Sequence, residues 1–359
     1  KNECEKLGLL VEDAANTTGF TALLDTGRPG KTLGIRTDID ALPIHESEYN
    51  KKFKKSVISK NDGVSHACGH DSHMATLLTT AKILTDLKDE INGKIYFIFE
   101  EGEETGGGIE AMVDHLRDKG LDACYGNHQA SFLEVGEIRV IKGPSHAGCA
   151  GVEFDVIGKG GHGSRPDLCI NPLTATANIV TALTTAWVSQ LDVNETVTFG
   201  LGSINGGAAS NVIPDKCNVK GTLRFFDDKA GKDALEVLKE VTEATAKAHK
   251  CEVEFSDYTR IVAYPTINDP DLAEEVIKSL NDIYPGAYRD GKPTFGSESF
   301  FGYSRLCPSV YTKFGVRDEE NGIAASAHTP EFDLNPEGIK YAVGLQVKFA
   351  TDFLGEAND

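Results

Sequence analysis

No stretch of the chain approaches the roughly 18 consecutive apolar residues that a membrane-crossing helix needs, and Lys1-Asn2-Glu3-Cys4 does not open a secretory leader. The expectation is a cytoplasmic protein without a membrane partner. Basic residues are also scarce: 36 Lys+Arg against 55 Asp+Glu leave a formal net charge of −19. That balance repels phosphate backbones and anionic lipid, so no nucleic-acid partner is expected. Phosphate-binding loops are missing too. The Gly-rich segments Gly106-Gly107-Gly108, Gly158-Lys159-Gly160-Gly161-His162-Gly163 and Asn205-Gly206-Gly207 lack both the phosphate-loop spacing and a dinucleotide fingerprint in its proper context. Internal repeats, low-complexity tracts and Pro/Ser-rich linkers do not occur. The eight cysteines are scattered along a large chain, which argues for reduced thiols over a disulfide framework.

What is present is enough chain for about two domains. Thr32-Leu33-Gly34-Ile35-Arg36 and Lys94-Ile95-Tyr96-Phe97-Ile98-Phe99 read as strands covered on both faces, with helical spacing between them from Met74 to Leu87 and after them from Ile109 to Leu116. Strand alternating with helix predicts an α/β fold with a mixed, mostly parallel sheet flanked by helices, whose site lies at the carboxyl ends of strands. The pattern changes near Gly148-Cys149-Ala150. Strands are expected at Val152 to Ile157, Thr196 to Ile204, Cys217 to Phe226 and Glu252 to Tyr258, with helices at Pro172 to Val188 and Ala230 to His249. That order is the ferredoxin-like βαββαβ unit. After Pro265 the α/β pattern resumes, with helices near Pro270 to Ile283 and Pro336 to Leu354. The expected division is residues 1–149 and 260–359 as one domain with 150–259 inserted in it.

Four fragments carry chemistry, each expected at a strand end or in a loop: Cys68-Gly69-His70-Asp71, Glu103-Glu104, Gly126-Asn127-His128 and Ala327-His328-Thr329-Pro330. Together they offer a thiolate, three imidazoles and a spare carboxylate, the donor types that zinc and its neighbours take. Alone, each has a plainer reading: a packed Cys or His, a solvated acidic turn, a loop His. Glu103-Glu104 is the sharper signal. Two adjacent like charges after an apolar strand are best reconciled by separate jobs, one binding a cation and the other taking a proton from water. His66, Asp71 and His73 read as supporting or incidental.

The same fragments resemble those of the di-metal amidohydrolases of the aminoacylase and carboxypeptidase superfamily, in particular the branch of hippurate hydrolases and indole-acetyl-amino-acid hydrolases. The resemblance runs through Thr37-Asp38-Ile39-Asp40-Ala41-Leu42-Pro43-Ile44, His66-Ala67-Cys68-Gly69-His70-Asp71, Glu103-Glu104, Gly158-Lys159-Gly160-Gly161-His162, Asn211-Val212-Ile213-Pro214-Asp215, Gly296-Ser297-Glu298 and His328-Thr329-Pro330-Glu331-Phe332-Asp333, in the family's order. It implies metal ligands at Cys68, His70, Glu104, His128 and His328, with Cys68 bridging two divalent ions and Glu103 as general base. The ions implied are zinc or manganese first, with cobalt or nickel as alternatives. It further implies that the inserted unit is a lid and dimerisation domain, that His162 stabilises the oxyanion, and that Asn211, Arg224 and Gly296 hold the substrate's carboxylate. A homodimer or larger homo-oligomer is expected on the same ground. So is a first helix, with its His and Pro-Glu segment, ahead of Lys1.

The chain departs from the family pattern around the pocket: Glu101-Gly102 precedes the Glu pair where Pro-Ala is usual, Gln129-Ala130-Ser131 follows His128 in place of a hydrophobic-Trp-Pro run, and the lid motif continues Ser164-Arg165-Pro166-Asp167. The function implied is metal-dependent hydrolysis of N-acyl amino acids to a carboxylic acid and a free amino acid. A metallo-dipeptidase or carboxypeptidase is the alternative, and a non-catalytic metal-binding relative stands behind it.

Overall fold

The structure is a computed structural model that describes residues 1–355, and it divides into two compact units. The larger comprises Lys1–Ser145, Ile267–Pro293 and, of the chain's last segment, the described residues from Ser299 onward. Its eight-stranded sheet has the order Leu10–Asp13, Phe20–Asp25, Lys94–Glu100, Thr32–Asp38, Ala123–Glu134, Ser309–Arg317, Ile138–Val140, Tyr288–Arg289. The four middle strands, from Lys94–Glu100 to Ser309–Arg317, run parallel to one another. Antiparallel pairs join Phe20–Asp25 and Ile138–Val140 to that centre. The expected fold class, a mixed and mostly parallel sheet flanked by helices, is the one found.

Burial explains why the middle strands were legible. In Thr32–Asp38 and Lys94–Glu100 every residue after the first one is buried, so both faces must be apolar and the sequence reads as a continuous hydrophobic run. Helices His70–Asp86, Pro270–Ile283 and Glu337–Leu354 pack on one another and on the sheet, around Leu33, Ile35, Phe97, Tyr125, Phe314 and Phe349. Pro270–Ile283 is opened by Asp269, whose carboxylate accepts the N–H groups of Asp271 and Leu272. Register then sets chemistry side by side. Asp38 pairs with Glu100, and Thr37 with Phe99, so acids of two strands meet at their carboxyl ends.

Two placements differ from expectation. Cys68 and His70 lie at the start of the helix His70–Asp86 rather than at a strand end. His128 lies inside a strand, because Ala123–Glu134 continues past it along Ser309–Arg317. The sequence after His128 is polar enough to read as a loop, yet a central parallel neighbour satisfies its backbone.

The smaller unit spans His146–Thr266 with Thr294–Glu298, a wider span than 150–259. Its strands Val197–Gly206, Lys216–Phe225, Gly148–Ile157 and Glu252–Phe255 lie in that order, each antiparallel to its neighbour, and Ile261–Ala263 adds a further partner for Gly148–Ile157. Helices Pro172–Ser189 and Asp228–Ala248 close a core of Val152, Phe154, Val156, Ile179, Leu183, Leu223 and Leu238. Asn171 and Asp227 cap those helices through their side chains. The chain order is βαββαβ, as expected. Among the described residues, no helix is long and apolar enough to cross a membrane.

Candidate metal centre

The site is assembled at the carboxyl end of the large unit's sheet and the start of helix His70–Asp86. Gly69 makes the turn into that helix with φ +77°, a left-handed conformation that favours glycine, and a Cβ there would lie 2.6 Å from Cγ of Gln129. Cys68 is anchored from the other side by Gln129, whose side-chain amide donates to the Cys68 carbonyl at 3.1 Å. Glu103 and Glu104 occupy a single 3₁₀ turn bounded by Gly102 and Gly106, both at φ +66°. His328 reaches the cluster from a loop at φ +63°, held by its own N–H donating to the Ala67 carbonyl at 2.8 Å.

Donor atoms of these residues converge. Cys68, His70 and His128 offer atoms within 4.8 Å of one another, and so do Cys68, Glu104 and His328. Sγ of Cys68 lies 3.4 Å from Nε2 of His128. Nε2 of His328 lies 3.1 Å, and Nε2 of His70 3.9 Å, from Oε1 of Glu104. Glu103 joins a third such group with His70 and Glu104, and its Oε1 accepts the Ser299 N–H at 3.3 Å.

His162, Asn211 and Arg224, expected in the smaller unit, and Gly296, expected in the larger, all fall in the smaller unit and form two separate pairs. Val212 pairs with His162 across a two-residue antiparallel ladder, which sets Asn211 beside the His162 segment, and both side chains are exposed. Arg224 donates to Oγ of Ser297 at 2.8 Å, next to Gly296, where a side chain would meet open space.

The family model for peptidase family M20/M25/M40 matches residues 34–352. The chain belongs to that family. Hydrolysis of an amide bond is accordingly its reaction class. It is 33% identical over 354 residues to a thermostable carboxypeptidase of Saccharolobus solfataricus, covering 97% of this chain and 87% of the relative. It is 32% identical over 361 residues to an IAA-amino acid hydrolase of Arabidopsis thaliana, covering 99% and 80%. Among solved structures, a dinuclear metal binding peptidase of the M20 family from Bacillus subtilis superposes with a TM-score of 0.82 at 26% identity, covering 98% of this chain and 90% of that one.

The polar bookkeeping of this family member fits a bound cation. Nε2 of His70 is buried and has no hydrogen-bond partner, an arrangement that costs about 1–3 kcal/mol unless something satisfies it. Nδ1 of His70 faces only acceptors, the Asp40 carbonyl at 3.1 Å and Asp40 Oδ1 at 3.2 Å, so it donates and directs Nε2 inward. His128 is held in the same way by Nδ1 donating to the Gln129 carbonyl at 2.5 Å. Burial, with His73 and Lys313 nearby, keeps His128 neutral well below the ordinary imidazole range. At His70 burial opposes charge, but Asp38 and Asp40 outweigh it and raise the pKa to about 9. The Cys68 thiol is pushed far up by burial and by Glu104. The acids around His70 and Cys68 thus favour positive charge beside them, whereas His128 is kept neutral, and a cation bound there would turn the thiol into a thiolate ligand.

His73 has a different task. Its Nδ1 donates to Asp38 Oδ1 at 2.6 Å and its Nε2 accepts the Gln129 N–H at 2.8 Å, so both ring nitrogens are engaged within the protein.

Sequence reasoning gave no task to the groups that hold this frame. Asp40 accepts from His70 and, through Oδ2, from the Glu104 N–H at 3.0 Å. Arg36 is fully buried and donates to Asp38 at 2.9 Å, Glu100 at 3.0 Å and Ser299 Oγ at 2.8 Å. Tyr303 and Ser299 donate in turn to Glu100, at 2.6 and 2.5 Å. A signal was there: a strand covered on both faces that contains Arg36 and ends at Asp38 must pair those charges internally, because charged groups are seldom fully buried otherwise.

Proposed function

We propose that the protein hydrolyses the amide bond of N-acyl amino acids, with Cys68, His70, Glu104, His128 and His328 holding two divalent ions and Glu103 acting as general base. The observation that carries this reading is the meeting of a thiol, three imidazoles and a carboxylate around the buried, unpartnered Nε2 of His70, with a second carboxylate alongside. The two donor groups that together contain all five ligands have only Cys68 in common, so its thiolate would be the residue to hold both ions. A pair of ions bound there would polarise the scissile carbonyl and acidify the attacking water. Zinc or manganese suits a mixed sulfur, nitrogen and oxygen set first, with cobalt or nickel next.

Glu103 takes the proton from that water and passes it to the leaving amine. The Ser299 N–H on Oε1 holds the carboxylate in one orientation. His162 stabilises the developing oxyanion, while Asn211, Arg224 and the backbone at Gly296 bind the amino acid's carboxylate; Arg224 is steadied for that by Ser297. Residues 1–149 and 260–359 form the catalytic part, and 150–259 the lid. The strand Val197–Gly206 ends its sheet with Leu201 and Ile204 exposed, which supports a homodimer closed along that edge. The working compartment is the cytoplasm.

Replacing Glu103 by Gln tests the assignment. Both ions are retained and turnover falls by about 10²–10⁴; a variant with the parent's rate removes the base. The relative named as a carboxypeptidase favours a second reading, peptide hydrolysis by the same centre. Parallel assays on N-acetyl and N-benzoyl amino acids and on plain dipeptides separate the two, and a preference for free-amine dipeptides selects the second.

A further inference from the structure

We propose that a row of cations continuing sideways from His128 is a subsite for an anionic group at the far end of the acyl chain, so that half-amides of short dicarboxylic acids are preferred over simple alkanoyl amides. This rests on the amidohydrolase reading and adds the acyl group to it.

The row is a product of register. Strand Ser309–Arg317 lies between Ala123–Glu134 and Ile138–Val140, and Lys313 pairs with His128 on one side and with Arg139 on the other. Directly paired residues project from the same face of a sheet. An imidazole, an ammonium and a guanidinium therefore stand abreast, about 4.8 Å from strand to strand. Phe132, farther along the His128 strand, covers the two cations: its ring centre is 5.7 Å from Nζ of Lys313 and 4.8 Å from Cζ of Arg139. Phe132 is 49% exposed, and Lys313 and Arg139 lie half-buried beneath it.

Two further observations point to a ligand. Nε of Arg139 is buried without a hydrogen-bond partner, and a cationic donor in that state is costly until an acceptor arrives. Its guanidinium also packs against the chain at Gly291, where a Cβ would lie 2.7 Å from Nε. In a chain of net charge −19, such a local positive field attracts an anion that the rest of the surface repels. One strand spacing separates His128 from Lys313 and two separate it from Arg139. A carboxylate three or four carbons beyond the scissile carbonyl spans about the first of these distances and so reaches Lys313, with Arg139 behind it and the aromatic face of Phe132 beside the methylenes.

The test uses the metal-loaded protein and matched substrates of one amino acid: N-succinyl against N-butyryl, and N-glutaryl against N-pentanoyl. We expect kcat/KM to favour the dicarboxylic member at least tenfold, mainly through KM, with the margin shrinking at high salt. Lys313→Met and Arg139→Gln should each cut that ratio about tenfold. A ratio near one in the parent, or one that both variants leave in place, overturns the proposal. So does a Lys313→Met effect that follows the amino acid's α-carboxylate, read by comparing N-butyryl amino acids with their amides. If no acyl amino acid is cleaved, the amidohydrolase reading fails. The subsite is then decided by calorimetry: glutarate should bind at least tenfold more tightly than pentanoate in the parent and not in Lys313→Met, and equal binding in the parent overturns it.

Discussion

Asp40 touches two proposed ligands at once and is itself placed to bind no ion, which makes its removal a sharp test of how the centre is held. Oδ1 lies 3.2 Å from Nδ1 of His70, and Oδ2 accepts the Glu104 N–H at 3.0 Å. Burial alone would raise this carboxyl, but those hydrogen bonds outweigh it and keep its pKa below the usual value, so the acceptor is ionised at neutral pH. In Asp40→Ala, His70 retains the backbone carbonyl of residue 40 as a partner at 3.1 Å, whereas the Glu104 N–H loses its carboxylate acceptor. Loss of such an outer partner lowers metal affinity by about 10–100-fold, equivalent to about 1.4–2.8 kcal/mol. Asp40→Asn keeps an oxygen for one contact and should lose less than about tenfold. The assay is titration of the metal-stripped protein with zinc or manganese against a competing chelator, with thermal unfolding of the metal-free variants as the control for folding. Parent-like affinity in Asp40→Ala for both ions would refute the reasoning.

Three further outcomes follow from the same geometry. Arg36→Met leaves Asp38 and Glu100, both fully buried, without their cation and should cost about 3–5 kcal/mol in urea unfolding; a loss under about 1 kcal/mol contradicts the buried network. Gly69→Ala forces a side chain into a left-handed turn, at about 1–2 kcal/mol, and against Gln129; melting temperature and metal affinity should both fall, and no change in either contradicts the tight turn. His115 has a pKa lowered by burial and by Lys119, and its Nε2 lies 3.0 Å from Oγ1 of Thr21. The unfolded chain therefore binds that proton more readily, so the stabilisation is complete above about pH 6.5 and is lost as pH falls through the lowered value. Stability should consequently decline less from pH 7 to pH 5 in His115→Gln than in the parent, and superimposable profiles exclude the assignment.

Legibility in the sequence tracked local physics. Strands Thr32–Asp38 and Lys94–Glu100 showed themselves because both faces are buried, and helix Pro270–Ile283 because Asp269 and Pro270 mark its start. The hairpin of Leu10–Asp13 with Phe20–Asp25 went unread, since its first strand has no buried residue and carries no apolar run. Ser309–Arg317 was equally silent: Lys313 and Arg317 interrupt its apolar pattern, although it is a central strand of the sheet.

The amino-acid sequence by itself determined the fold class, the family and the list of residues able to bind a cation, because each depends on short-range patterning or on motifs a few residues long. The tertiary structure decided which of those residues meet and what steadies them. Glu100 is far from Arg36 in sequence yet is its partner, Asp40 reaches the Glu104 backbone, and Lys313 stands between His128 and Arg139. Those contacts are set by strand order and register, which depend on how separate segments pair across a sheet, and no local stretch of chain encodes that pairing.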